Sequence, residues 1–327
     1  MAITRREFTL MSLMMLAGAL PVARAQSVKV TVVLAPSNLG LRPEGGQPGT
    51  WQAPQALIDA GLQEAVQATQ VVRLDRPQYE SGAQKGTRIR NGQTIRAFSM
   101  QLSHVVQAII AAGEFPLVIG GDCSVLLGGL YGLRLAGGRG LVHIDGHNDF
   151  YHPANYDVNS RLGSAAGMDL ALASGRGEAL LTEWPHVSGP LARDAEIVQV
   201  GERDSANTGK HIVGTGIAQF TVQRALREGI EATAERTVAQ LAAQKLDRAW
   251  LHVDLDVLDE RVMPAVDSPG RPGFNFDQLA AFVGALCASK RIAGADFAIY
   301  DPDRDPQAKF AAPLVRCIAS GIRSISA

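Results

Sequence analysis

Three cysteines in 327 residues, Cys123, Cys287 and Cys317, are too few for a disulfide framework. Charge is scarce as well. Only 19% of the residues are charged and the formal net charge is −1. Lys and Arg are spread along the chain, which leaves no basic stripe for nucleic acid and no acidic tail. No apolar run reaches the roughly 20 residues that a bilayer requires. Internal repeats, low-complexity tracts and interdomain linkers are also missing. What is present is apolar material, 46% of the chain, enough for one large core and a single α/β domain. A small molecule is the partner these bulk properties leave.

The first 25 residues differ in kind from the rest. Thr4-Arg5-Arg6-Glu7-Phe8 forms a twin-arginine start, an apolar run follows from Phe8 to Leu20, and Ala23-Arg24-Ala25 has the small-residue pattern of a cleavage site. Residues 1–25 are expected to be a signal peptide and residues 26–327 the mature domain. The protein would then be exported by a bacterium, periplasmic or secreted, with no membrane segment after cleavage. That route commonly carries proteins already folded and loaded with metal. The alternative is a buried N-terminal helix.

Beyond the leader, short β-branched runs alternate with amphipathic stretches. Val28–Leu34, Val71–Leu74, Phe115–Ile119, Leu141–Asp145, Ile197–Val200, Ala249–Asp256 and Ala295–Tyr300 read as strands. Pro54–Leu62, Ile95–Ala112, Val125–Leu135, Glu231–Gln244, Phe276–Ala288 and Ala311–Ala319 read as helices. The alternation predicts an α/β fold of three αβα layers around a mainly parallel sheet. Cys287 and Cys317 fall in apolar helices and read as core residues. Ligands of such sheets sit beyond the carboxyl ends of the strands.

Chemistry collects at three of those ends. Leu141–Asp145 runs into Gly146-His147-Asn148-Asp149, and Trp250–Asp254 continues as Leu255-Asp256-Val257-Leu258-Asp259. If the backbone stays extended, alternation by two puts Asp145, His147 and Asp149 on one side, and does the same for Asp254 and Asp256. Four carboxylates and an imidazole converging from two strands need a cation to neutralise them, and divalent metal is the economical one. The third end is Gly120-Gly121-Asp122-Cys123-Ser124, whose glycines let the chain bend and bring Cys123 to the sheet edge. Each motif alone could be a solvated turn; together they form a strong signal. His143 and His252 each lie two residues before an aspartate, on the same face but one layer deeper. They read as supporting or core histidines, not as direct ligands.

These three motifs resemble those of the arginase, agmatinase and formiminoglutamase family, the ureohydrolases, and the resemblance extends over nearly the whole mature chain. It implies an arginase-like fold in which Asp145 and Asp254 bridge two divalent metal ions. Cys123 and Asp149 would complete one site, His147 and Asp256 the other. The family usually uses Mn²⁺. A bridging hydroxide would attack an sp² carbon bonded to nitrogen, and the tetrahedral intermediate would release an amine. Asp204 matches a position that contacts the substrate amino group, though it reads equally as a turn cap. Asp259 and Ser268 match supporting and pocket positions. Trimers and hexamers would fit the family.

Three departures bear on chemistry. Cys123 stands where the family has His, as in some hydroxyarginine-processing relatives. Four carboxylates and one thiolate against two divalent ions leave a formal −1, and the softer ligand makes Zn²⁺, Co²⁺, Ni²⁺ or Fe²⁺ rivals to Mn²⁺. Ile299 stands where arginases keep a guanidinium-clamping Glu, so unmodified arginine is expected to be a poor substrate unless a nearby acid such as Asp296 or Asp301 substitutes. The proton-shuttling His falls near Ala166; His152, Tyr151 or Tyr156 could replace it. The leading expectation is a metal-dependent hydrolase of a guanidino, hydroxyguanidino or ureido compound, with Asp145, Asp254 and His152 catalytic and Asp204 and Ser268 binding substrate. The alternatives are an amidohydrolase with Cys123 as nucleophile and His147 as base, and an exported protein that binds metal or ligand without turnover.

Overall fold

The computed structural model describes residues 28–44, 46–203 and 212–325. The leader and Asp204 lie outside the described residues. Eight strands form one wholly parallel sheet: β1 (Val30–Ala35), β2 (Gln70–Arg73), β3 (Phe115–Gly120), β4 (Leu141–Ile144), β5 (Ile197–Val200), β6 (Ala218–Phe220), β7 (Ala249–Asp254) and β8 (Ile292–Ala298). Their order across the sheet is β2-β1-β3-β8-β7-β4-β5-β6. The central strands β1, β3, β4, β5 and β7 are buried along their whole length, as a sheet covered on both faces requires.

The covering helices follow the apolar spacing. In Gly92–Ala111 the buried residues Ile95, Phe98, Leu102, Val106 and Ile109 recur at intervals of three and four, and this stripe packs on Val125–Leu135 and the sheet. Phe276–Ala288 starts at a capping box in which Asn275 accepts from the Gln278 backbone and Gln278 accepts from the Asn275 backbone. It packs against Ala311–Ile322, and Cys287 and Cys317 are buried there. Among the described residues no helix is long and apolar enough to cross a membrane.

Several expected boundaries move. The helix expected over Pro54–Leu62 breaks at Gly61, whose φ is +89°, into Ala53–Asp59 and Leu62–Ala65. β8 begins three residues earlier than expected, at Ile292, and ends at Ala298, before Ile299 turns to φ +78°. β6, only three residues long, escaped the pattern. β4 and β7 stop at Ile144 and Asp254, short of the expected ends.

The order of strands places the site. β3, β8, β7 and β4 are adjacent, and their carboxyl ends carry Cys123, Ile299, Asp254 and Asp145. The register aligns His143 with His252, and His252 with Asp296, so the residues that follow arrive at the same height.

Candidate metal centre

Asp145 and Asp254 leave the ends of two paired strands, and each makes the same local turn. Asp145 Oδ1 accepts from the His147 backbone N–H at 2.6 Å, and Asp254 Oδ1 accepts from the Asp256 N–H at 2.7 Å. A short carboxylate bonded to the backbone two residues on mimics a turn and ends the strand. The expected extended alternation is therefore wrong in mechanism: Leu255–Val257 is a 3-10 turn and Asp149 has φ +42°. Side chains that alternation was expected to align are instead folded back over the aspartates that cap them.

Cys123 arrives by a different device. After β3 the chain passes Gly121, where a Cβ would lie 1.7 Å from the Ser37 carbonyl oxygen, so only glycine permits the approach. Asp122 then ties the two segments together. Its Oδ1 accepts from the Ser37 hydroxyl at 2.5 Å, and its Oδ2 accepts from the Gly40 and Ser124 N–H groups at 2.9 and 3.0 Å. The result is a fully buried Cys123 whose Sγ lies 2.6 Å from Asp254 Oδ2.

Asp145 belongs to three clusters of ligand atoms, one of them with His143 and His252 in the row beneath and two at the cleft. Of the two at the cleft, one comprises Asp145, His147 and Asp256, the other Asp145, Asp149 and Asp254, with ligand atoms within 4.8 Å of one another in each. His147 Nδ1 is 2.9 Å from Asp256 Oδ2. Cys123 adjoins the second group through Asp254, and its sulfur is also within 4.8 Å of Asp169 and His252. The structure thus brings together all six residues expected to hold metal.

The protein's own charges do not neutralise this set. Burial, then Asp256 and Asp145, push the Asp254 carboxyl well above its ordinary range, and burial followed by Asp145, Asp169 and Asp254 does the same to Asp149. Burial and then Asp254 raise the Cys123 thiol. Asp145 runs the other way: burial opposes its ionisation, but His147 and His143 outweigh it. The Asp256 charge holds the His147 imidazolium up to about 11. Asp145 Oδ2 is buried with no hydrogen-bond donor. Oxygen, nitrogen and sulfur donors arranged this way fit a pair of divalent ions.

One pleat below, a polar row crosses the sheet. The His143 and His252 rings stack with centroids 5.0 Å apart. His143 Nε2 is 3.2 Å from Asp169 Oδ1 and 3.7 Å from Asp145 Oδ2. His252 Nδ1 is 2.5 Å from Asp296 Oδ1, and its Nε2 is 3.4 Å from Asp169 Oδ2. Burial opposes a charge on His252, but Asp296 and then Asp169 and Asp254 overcome it and raise the pKa to about 10. Trp250 Nε1–H donates to the other Asp296 oxygen. Sequence reasoning missed Asp169; the available signal was a lone acid inside the apolar run Ala165–Ala173. It also missed Arg203, a buried guanidinium that donates to the Asp256 carbonyl and lies 3.9 Å from the Asp256 carboxylate. Gly146 makes room for it: a Cβ there would lie 1.9 Å from Arg203 Nη1.

Above the ligands opens a cleft of about 290 Å³. Cys123, His147, Asp149, Asp254 and Asp256 form its floor; Ile299, Ala166, Ser268, Tyr151 and Tyr156 line its sides. His152 is not among the lining residues. Its ring packs edge-on against Phe150 and its Nδ1 accepts from the Ala154 N–H. Ser268 is exposed and donates to Asp267 at 3.1 Å. Asp259 is occupied by Arg261 through two contacts of 2.6 and 2.8 Å. Neither candidate substitute acid faces the cleft. Asp296 is taken by His252 and Trp250, and Asp301 caps the turn at Pro302–Arg304.

The arginase-family model matches residues 28–321. Arginase from Bacillus caldovelox is 28% identical over 300 residues, covering 89% of this chain and 97% of that protein. The crystal structure of the B. caldovelox arginase superimposes with a TM-score of 0.79 at 26% identity, covering 90% of this chain and 98% of that one. Formimidoylglutamase from Bacillus subtilis shares the fold, with a TM-score of 0.70 at 16% identity over 92% of this chain and 88% of that one. With the two ligand groups at the ends of the paired parallel strands β4 and β7 and a family match that spans nearly every described residue, this chain belongs to the arginase family.

Proposed function

We propose that this chain is a binuclear metal-dependent hydrolase of a linear C–N bond in a guanidino, hydroxyguanidino or ureido compound. The observation that carries the reading is the pair of ligand groups sharing Asp145 at the floor of an open cleft. Bound divalent ions, Mn²⁺ in the first instance, would supply Lewis acidity and an activated water there. Asp145 and Asp254 would bridge them, Cys123 and Asp149 would complete one site, and His147 and Asp256 the other.

The side chains around the floor limit the substrate. Ile299, 2% exposed, presents an apolar wall where a guanidinium would need a carboxylate partner, and neither Asp296 nor Asp301 lines the cleft to replace it. A neutral ureido group or a less basic hydroxyguanidine loses less there than the guanidinium of plain arginine. The alternative with Cys123 as nucleophile draws no support from the geometry. Its thiol abuts a carboxylate and is raised by burial, opposite to the depressed pKa that activates a thiol. Export by the twin-arginine leader remains part of the proposal, and finding the intact N-terminus only in the cytoplasm would refute it.

Metal analysis of the purified protein, combined with a screen for release of ammonia, urea and hydroxyurea, tests the whole reading. Two ions per chain and turnover lost to chelators are expected. Turnover that persists in metal-free protein would overturn it.

A further inference from the structure

At the opposite end of the sheet from the metal ligands lies a second pocket, of about 330 Å³, that shares no lining residue with the cleft. β4 and β5 are paired with Leu141 opposite Ile197, so the segments that lead into them arrive side by side. Arg139 precedes β4, and Arg193 and Glu196 precede β5. Arg134, in the last turn of Val125–Leu135, and the loop Ser188-Gly189-Pro190 close the other walls. Three guanidinium charges and one carboxylate charge leave a net +2 in this pocket, and none of them serves the metal centre. The neighbouring acid Asp194 does not alter the balance, because Arg176 holds it at 2.6 Å.

The walls are fixed from behind. Tyr131, buried one helical turn before Arg134, donates its hydroxyl to the Pro185 carbonyl at 2.9 Å, and its ring lies 4.9 Å from that of Trp184. These contacts fasten the 184–190 loop to the face of the helix that carries Arg134. Glu196, 4% exposed, fastens the other side. Its Oε2 accepts from the Arg193 backbone N–H at 3.0 Å, while its Oε1 accepts from Arg193 Nη2 at 2.6 Å and lies 3.2 Å from Arg139 Nη1. One carboxylate thus orients two guanidiniums and leaves most of their N–H donors unused. Arg134 has no such partner: among the described residues it makes no ion pair, and its Nε is buried without an acceptor. A buried, charged donor in that state is costly, and a bound anion removes the cost.

We propose that Arg134, Arg139 and Arg193 form a binding site for a phosphate dianion, supplied as free inorganic phosphate or as the terminal phosphoryl group of a small ester. Phosphate carries close to two negative charges at neutral pH, which matches the net charge of the pocket. Its tetrahedral oxygens accept from donors on separate walls, whereas a planar carboxylate reaches fewer of them and brings half the charge. Divalent cations are repelled by the same arginines. The site stands apart from the hydrolase reading and is unaffected by its failure.

The test is calorimetric titration of the metal-loaded protein, at constant ionic strength, with inorganic phosphate and with glycerol phosphate. Saturable binding of at least one of them, with a Kd below about 1 mM, is expected. Arg134→Met and Arg193→Met should each weaken it about tenfold or more, the loss of one charge-assisted contact, and Arg134→Lys should weaken it less. Tighter binding of inorganic phosphate identifies the free ion as the ligand; tighter binding of glycerol phosphate identifies an ester. Arg193 is exposed and its replacement leaves the Arg139–Glu196 pair in place, so that variant decides the matter even where Arg134→Met fails to fold. Asp254→Asn, which takes a proposed bridging ligand from the metal centre, should leave phosphate binding within about twofold, as expected of distant sites. Affinity that disappears in Asp254→Asn and survives both Met variants places the phosphate on the metals and overturns the proposal, as does the absence of saturable binding.

Discussion

The floor of the cleft and its rim are built on opposite principles. On the floor and in the row beneath it, the ionisable groups are buried or half-buried and touch one another, from Cys123 against Asp254 to His252 between Asp296 and Asp169. On the rim, Arg42, Glu44, Arg161 and Ser268 are exposed and stand on loops. Loss of one floor group strands its neighbours without water, whereas loss of a rim group leaves neighbours that water can serve. The floor should thus respond to substitution in stability and metal content together, and the rim in substrate selection alone.

The sharpest break in that contrast is Asp254→Asn, which removes a carboxylate from the group formed with Asp145 and Asp149 and beside Cys123. Metal analysis should show loss of both ions, and turnover should vanish. Cys123→His should keep two ions and part of the activity, because imidazole serves the same metals. A Cys123→His protein that binds two ions yet is wholly inactive, with a covalent adduct trapped on wild-type Cys123, would restore the nucleophile reading.

Next in size is the row below the metals. Asp296→Leu leaves the Trp250 N–H and the His252 imidazolium without their shared acceptor, and stranding a buried charge costs about 3–5 kcal/mol. Urea unfolding of the metal-loaded protein should show a midpoint shift of that size. A change under about 1 kcal/mol would mean that the row is not held by charge.

Proton linkage gives a third test. In chelated protein, Asp149 and Asp254 have pKa values raised above the unfolded carboxylate, so their favourable contribution is present at low pH and is lost as pH rises past about 3.8. His147, raised to about 11, contributes fully below its ordinary value of 6.5 and loses that contribution as pH climbs through 11. Asp145 and Asp259, held below the ordinary carboxylate range, are ionised in both states above pH 5 and add nothing to the slope there. The melting temperature of chelated protein should therefore fall as pH rises from 5 to 10, and added Mn²⁺ should reverse the fall most strongly at high pH, where the ligands no longer hold protons. A chelated protein that gains stability across this interval contradicts the assignment.

The smallest effect belongs to a residue beside the cleft and not lining it. His152→Asn should lower kcat by less than tenfold, since the ring faces Phe150 and is not among the residues lining the cleft. A positioned proton shuttle contributes about 10²–10⁴-fold, so a loss in that interval would return His152 to the mechanism.

The contrast between floor and rim also separates what sequence reveals from what it hides. The six candidate ligands are legible because strand ends force them together and their residue types have few other uses in a core. The helices Val125–Leu135 and Phe276–Ala288 match their expected ends, the first through its apolar run and the second through apolar spacing that starts at a capping box. The path of the ligand backbones was misread, since two aspartates spaced by two residues look the same whether the chain runs straight or folds on itself. Asp169 belongs to a short helix that drops onto the site from another part of the chain, and no spacing within a motif records that. The arginines of the rim were illegible for a related reason: Arg42 and Arg161 reach the same cleft only through the path of two irregular loops.

Ile299 has one more implication. Its φ of +78° is strained for a β-branched side chain, at a cost of about 1–3 kcal/mol, and its N–H is held by the Gly121 carbonyl at 2.6 Å. The Gly121 contact, and not the side chain, fixes that pose, and the pose is what turns Ile299 toward the cleft.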